Sequence, residues 1–206
     1  PAALHNTEHK QQRRLEMLEG KYPTECDYCW RIEKLGTEHL SDRVYKSAST
    51  WSLPRLSEVL KQRQAPDFRP SYVEIAFEST CNFKCAYCQP HISSRLWEEI
   101  EQHGPYLLQG DDYHSLDYLE RTGKKPIRHD AENPYTEAFW EIWPSWYEQL
   151  HTFRITGGEP LLSKHTWRIF DYVLAHPNNS INLAINTNLS VPDKVIDRLV
   201  EYAPNL

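Results

Sequence analysis

Cys81-Asn82-Phe83-Lys84-Cys85-Ala86-Tyr87-Cys88 sets three thiols within eight residues, in the spacing C-x3-C-x2-C. Directly before it, Tyr72-Val73-Glu74-Ile75-Ala76-Phe77-Glu78 has the β-branched and aromatic content of a strand. With 5 cysteines in 206 residues, chance would produce that spacing with a probability on the order of 0.003, so it reads as a site. Thiolates are soft donors suited to iron–sulfur clusters or zinc. Three of them cannot close a four-thiolate site, so one metal position goes to another group or stays open. Spacing alone also fits a structural zinc knuckle with a distant fourth ligand.

Two further strand-like runs follow. The first is Phe153-Arg154-Ile155-Thr156, which leads into Gly157-Gly158-Glu159-Pro160. Paired glycines let backbone approach a ligand closely. Ser163 then caps a helix through Thr166–Ala175. The second run is Ile181–Ile185, followed by Asn186-Thr187-Asn188. That tripeptide reads as a polar strand-to-helix turn, with Ser190 capping a helix that has Pro192 in its first turn and runs to Tyr202. Strands alternating with helices predict a parallel α/β architecture, in which reacting groups sit at the carboxyl ends of strands. The loop Ser79–Gln89 then lies in the mouth of a barrel. Phe83 and Tyr87 either screen a metal centre there from water and dioxygen or simply pack.

Composition bounds the rest. The hydrophobic fraction is 39%, and no run approaches the ~20 apolar residues of a membrane span. No signal-peptide pattern is present. An odd, clustered set of cysteines argues for metal binding in a reducing compartment, so a soluble cytoplasmic protein is expected. A net charge of −6 gives no electrostatic case for nucleic acid.

Residues 1–70 read as an N-terminal extension and residues 71–206 as an incomplete core domain. The extension begins with a helix capped by Asn6 or Thr7 and ended by Gly20, with a thin stripe at Leu15 and Leu18. A second helix is predicted from Pro54 to about Arg63. Between them stands Cys26-Asp27-Tyr28-Cys29, whose two thiols can clip one edge of a metal site. Half of an auxiliary cluster or zinc site, a reduced structural pair and a redox-active dithiol are all compatible with that spacing, and His39 is one candidate partner.

Residues 90–150 form a long connection between the first two strands, where a compact barrel uses loops of about two to six residues around one helix. Three helices are predicted there: Ser93/Ser94 into Arg95–Gln102 with Gly104 after it, Asp111/Asp112 into Tyr113–Thr122 with Gly123 after it, and Asn133-Pro134 through Phe139, Trp140 and Trp143. Pro144 should kink or split the last before Trp146 and Tyr147. The segment holds 12 acidic and 5 basic residues and leaves the rest of the chain about neutral. It is either a lid or surface for a cationic or peptide substrate, or a solvated outcrop packed by its tryptophans onto the barrel. His91, His103, His114 and His129 show no ligand spacing.

The octet with an aromatic at Tyr87, followed by Gly157-Gly158-Glu159-Pro160, resembles the radical S-adenosylmethionine (SAM) superfamily. The resemblance implies a partial (β/α)6 barrel of the TIM type, of which this chain supplies the N-terminal half with three βα units. It implies that Cys81, Cys85 and Cys88 hold three irons of a [4Fe–4S] cluster, while SAM chelates the fourth iron through its amino and carboxylate groups. Tyr87, Gly157, Gly158, Glu159, Asn186, Thr187 and Asn188 are then cofactor-binding. The implied reaction is reductive cleavage of SAM to a 5′-deoxyadenosyl radical that takes hydrogen from a substrate, a peptide or a small molecule, with a reductant such as flavodoxin or ferredoxin. Cys26, Cys29, Trp30, Glu33, Gly36, Ser41 and Arg43 resemble a pre-barrel element of the branch that carries a C-terminal twitch domain. On this reading the chain is part of a longer protein and inactive alone. A non-catalytic iron–sulfur or zinc-binding protein is the alternative.

Overall fold

The computed structural model of the chain describes residues 5–36, 40–61, 69–106, 114–125, 127 and 131–206. Contacts group the chain into two units: residues up to Tyr72 with Ala138–His151, and Val73–Glu137 with Thr152–Leu206.

The first unit carries α1 (Glu8–Leu18), α2 (Asp27–Glu33), α3 (Asp42–Ser47) and α4 (Leu56–Lys61). Its opening helix follows the sequence signals. The Thr7 hydroxyl accepts the Lys10 N–H, and no residue of α1 is buried, as its thin stripe requires. The chain then turns at Gly20 with φ of 76°. A 3₁₀ turn, Leu53–Arg55, leads into α4; the predicted continuation to Arg63 lies outside the described residues, as do Pro66 and His39.

Three strands make one sheet in the order β1 (Tyr72–Ala76), β2 (Thr152–Thr156), β3 (Asn182–Ile185). β2 and β3 are parallel, with Phe153 opposite Leu183, Arg154 opposite Ala184 and Ile155 opposite Ile185. The period of two along β2 buries Phe153 and Ile155 and leaves Arg154 partly exposed. Burying such side chains stabilises by about 1.5–3 kcal/mol each.

Helices fill the connections: α5 (Ser94–His103), α6 (Leu116–Arg121), α7 (Pro134–Tyr147), α8 (Lys164–Ala175) and α9 (Asp193–Tyr202). Ile169, Phe170 and Val173 of α8 are buried. α9 docks on α8 through aromatics: Tyr202 meets the Trp167 ring edge-on at 5.7 Å, its hydroxyl donates to Asp171 at 2.6 Å, and the Arg198 guanidinium lies 4.1 Å above Trp167.

The structure corrects several boundaries. Pro144 does not split α7, which runs on to Tyr147. A proline so near the end removes a single backbone donor, and Ser145 donates its hydroxyl to the Ile142 carbonyl at 2.8 Å. α6 starts at a Ser115 cap and not at Asp111/Asp112, which lie outside the described residues. α9 has Pro192 in the cap position without a side-chain cap bond. Ser190 instead donates its N–H to Asn188 Oδ1 at 2.8 Å, closing a local Asx turn that competes with capping. The part of the 90–150 connection that carries Trp140, Trp143 and Trp146, from Ala138 on, groups with the N-terminal residues, whereas Trp97 stays in the unit of the sheet. Within α7, Phe139, Trp143 and Tyr147 meet in series as tilted rings, with centroids 5.4 and 5.3 Å apart. No helix among the described residues is long and apolar enough to cross a membrane.

Candidate functional site

The octet lies on the loop that leaves β1, and the first turn of α5 holds it in place. Ser93 and Ser94 are both buried. The Ser94 N–H donates to the Ser79 carbonyl at 2.7 Å, and the Ser94 hydroxyl accepts from the Cys81 N–H at 3.0 Å. Ser93 caps α5 through the Leu96 N–H and donates its own hydroxyl to the Phe83 carbonyl at 2.9 Å. One serine pair thus serves the helix and the loop together, which is why the loop has a defined path without regular structure. Lys84 forms an ion pair with Glu99 on the outer side of the loop.

Cys81, Cys85 and Cys88 are free thiols of intermediate exposure. The Cys88 N–H donates to the Cys85 carbonyl at 2.9 Å, which turns the chain between these two sulfurs. Burial raises the Cys88 thiol above its ordinary pKa, and Cys81 and Cys85 raise it further. No group of three or more His, Cys, Asp or Glu among the described residues is gathered around a single ion. A cluster asks for a different arrangement, because each thiolate binds its own iron and the sulfurs stand apart. Three free soft donors on one short loop fit that donor set.

Tyr87 is 90% exposed. Its hydroxyl pKa is raised first by a hydrogen bond with Cys85 and then by the charge of that thiol. Phe83 is also exposed.

The paired glycines have a use that the sequence did not disclose. A Cβ on Gly158 would stand 2.1 Å from the Thr80 carbonyl oxygen, and one on Gly157 would stand 2.8 Å from that of Glu78. The Gly158 N–H donates to the Glu78 carbonyl at 3.3 Å and the Glu159 N–H to the Thr80 carbonyl at 2.7 Å. The close approach is thus between the exits of β1 and β2, one residue before Cys81. Gly157 also takes φ of 111°, where a Cβ is strained.

Glu159 is 2% exposed. Its Oε1 accepts the Leu161 N–H at 3.0 Å and the Thr187 hydroxyl at 2.6 Å, and its Oε2 accepts the Asn188 N–H at 2.7 Å. Asn186 is held separately: its N–H donates to the Ile155 carbonyl at 2.9 Å, and Arg154 Nη2 donates to its Oδ1 at 2.8 Å. From Asn188 the network returns to the cysteine loop, because Asn188 Nδ2 donates to Asn82 Oδ1 at 3.0 Å. The structure therefore brings Gly157, Gly158, Glu159, Thr187 and Asn188 together with the loop of Cys81.

A second cluster flanks this junction. Glu78 accepts from Ser163 at 2.8 Å and from Thr80 at 3.1 Å, and His165 lies 4.0 Å from it. Burial lowers the His165 pKa against the opposing pull of Glu78. A cavity of about 610 Å³ opens nearby, with Glu78, Ser79, His91, Tyr135 and Gly157 in its wall.

Cys26 and Cys29 belong to the first unit as two free, half-exposed thiols, with no third ligand gathered among the described residues. The motif around them is bonded to itself. Trp30 Nε1 donates to the Pro23 carbonyl at 2.9 Å, Arg43 lies 4.0 Å above the Trp30 ring, and Glu33 accepts from Ser41 at 2.5 Å and from Arg43 Nε at 3.1 Å.

Sequence reasoning missed Asn82, Ser93, Ser94 and Glu78. Ser93 was legible as a cap, but its bond to the loop depends on the fold. Asn82 carried no signal, since its partner is 106 residues away.

The model of the family described as the Radical SAM superfamily matches residues 75–206. GTP 3′,8-cyclase of Campylobacter jejuni subsp. doylei is 30% identical over 122 residues, which are 59% of this chain and 28% of that protein. GTP 3′,8-cyclase of Campylobacter jejuni strain RM1221 is 30% identical over 118 residues, 57% of this chain and 27% of that protein. The chain spans a little over a quarter of the length of these relatives. No solved structure matches the chain.

Proposed function

This chain belongs to the radical SAM superfamily, and we propose that it is the part of such an enzyme that holds the cluster and one side of the SAM site. The family implies a [4Fe–4S] cluster and SAM. Cys81, Cys85 and Cys88 would hold the cluster, which when bound with SAM supplies reductive cleavage of the sulfonium to methionine and a 5′-deoxyadenosyl radical.

The chain's own residues position and exclude. Ser93 and Ser94 fix the path of the cysteine loop. Gly157 and Gly158 bring the β2 exit against the β1 exit and offer backbone groups to the SAM amino group. Asn186, Thr187 and Asn188 form the β3 exit that the resemblance sets beside the methionine and ribose, and their bonds to Arg154, Glu159 and Asn82 fix its backbone there. Glu159 serves this site from behind, since its three bonds commit the carboxylate to the chain. Tyr87, exposed beside the loop and bonded to Cys85, stands on the cofactor side by the same resemblance. The observation that carries the reading is the docking of Gly158 and Glu159 on Glu78 and Thr80, immediately before the first of three free thiols.

The resemblance of the Cys26–Arg43 element favours the twitch-domain branch, with a flavodoxin or ferredoxin as reductant and a cytoplasmic location. Peptide and small-molecule substrates both fit; the relatives named for GTP favour a small molecule. Cys26 and Cys29 are then a structural or redox pair unless they retain metal on their own.

Anaerobic reconstitution of the full-length protein with iron and sulfide, followed by SAM and dithionite, tests the reading. The expected product is 5′-deoxyadenosine, lost when Cys81, Cys85 and Cys88 are all replaced by Ala. A loaded protein that yields none is the non-catalytic metal protein instead. Metal remaining in the triple variant would assign a second site to Cys26 and Cys29.

A further inference from the structure

We propose that Asn82 is a positioning residue for SAM, acting through an amide clasp with Asn188 that fixes the spacing between the cysteine loop and the β3 exit. The inference rests on the reading above, in which the first of these holds the cluster and the second meets SAM. Both ends of the Asn82 amide are engaged across the site: Nδ2 donates to the Ser190 carbonyl, and Oδ1 accepts from Asn188 Nδ2 at 3.0 Å. Asn188 is held on every side, with its N–H on Glu159 at 2.7 Å and its Oδ1 accepting from Ser190 at 2.8 Å. Between them Leu189 takes φ of 55°, the left-handed region that a leucine rarely adopts. Its N–H donates to Thr187 Oγ1 at 3.0 Å. Strain of this kind persists where the surroundings over-determine the backbone.

Asn82 is exposed and its bonds compete with water, so they contribute little to folding. Geometry is a different matter. A ligand that reaches from the cluster to the β3 exit senses the distance between them, and a misplacement of about 1 Å can cost on the order of 100-fold. The clasp joins the chain at the residue after the first cluster cysteine. It therefore sets that distance directly.

The test uses the full-length, anaerobically reconstituted protein and follows the electron paramagnetic resonance signal of the reduced cluster as SAM is added. Asn82→Ala is expected to load iron as the wild type does and to need about tenfold more SAM for half of the spectral change. Asn188→Ala should show a similar defect. The double variant should be less impaired than the product of the two single defects, because both remove the Asn82–Asn188 contact. Wild-type titration by Asn82→Ala, or defects that multiply in the double variant, would overturn the clasp. Should Asn82→Ala fail to load a cluster, Asn188→Ala decides, and unchanged SAM affinity there overturns it. A wild-type cluster that does not respond to SAM would instead retire the proposed function itself.

Discussion

The Glu159 carboxylate accepts the Thr187 hydroxyl at 2.6 Å, joining two strand exits that lie 28 residues apart in the chain. With Leu161 and Asn188 as its other donors, this carboxylate is buried and engaged at both oxygens. Charge-assisted bonds of this type are the stronger ones. The glutamate of the Gly-Gly-Glu-Pro element thus acts on the site by ordering the loop that follows β3.

Removing that acceptor should be costly. Glu159→Ala leaves one buried and two half-buried donors without this acceptor and is expected to destabilise by about 1–3 kcal/mol. Glu159→Gln, which places an amide donor among donors, should cost less but still lower the midpoint. Urea unfolding of the cluster-free full-length protein measures both. A change within about 0.5 kcal/mol for the alanine variant would show that the carboxylate does not organise the β3 exit.

Gly158→Ala should separate the two strand exits, because its Cβ would stand 2.1 Å from the backbone oxygen of Thr80. Backbone cannot yield as a flexible side chain does, and an overpacking cost of about 1–3 kcal/mol or more is expected. The displaced segment leads into Cys81, so iron and sulfide per chain after reconstitution should fall together with stability. Normal loading would show that the junction tolerates the added carbon.

Acid should weaken the second unit through His165. Burial, the largest effect, lowers its pKa below the ordinary 6.5; Glu78 opposes, while Lys164 and Arg168 add to the lowering. The unfolded chain then takes up this proton at a higher pH than the folded one. The contribution of the neutral ring is complete above pH 6.5 and is lost as the pH falls through the lower folded value. His165→Gln should flatten the fall in thermal stability between about pH 7 and pH 5. An unchanged pH profile would remove His165 as its source.

Trp30 anchors the element around Cys26 and Cys29. It is 6% exposed, bonded to Pro23 and covered by Arg43. Trp30→Ala should cost about 3–5 kcal/mol and speed modification of Cys26 and Cys29 by a thiol reagent. Unaltered modification rates would show that the two thiols are held by something other than this aromatic anchor.

Local patterns were the legible part of this chain. Thr7, Ser93 and Ser163 announce their helices because a cap needs only residues within one turn, and the alternation along Phe153–Thr156 announces a strand because its period is two. The motif residues could likewise be picked out, since spacing along the chain is all that a motif match requires. Pro144 and Ser190 were misread for the complementary reason: whether a lost donor matters, or which side chain takes up a turn's backbone N–H, depends on what lies beside it.

By itself the sequence determined the three strands, their helices and the three thiols that suit a cluster, since each follows from contacts or chemistry among near neighbours. Tertiary structure alone decided that the paired glycines admit backbone of the preceding strand, that Glu159 faces Thr187 and Asn188, and that Asn82 reaches Asn188. Those pairings join residues up to 106 positions apart, and hydrogen bonds of that span exist only once the sheet has brought the strand ends side by side.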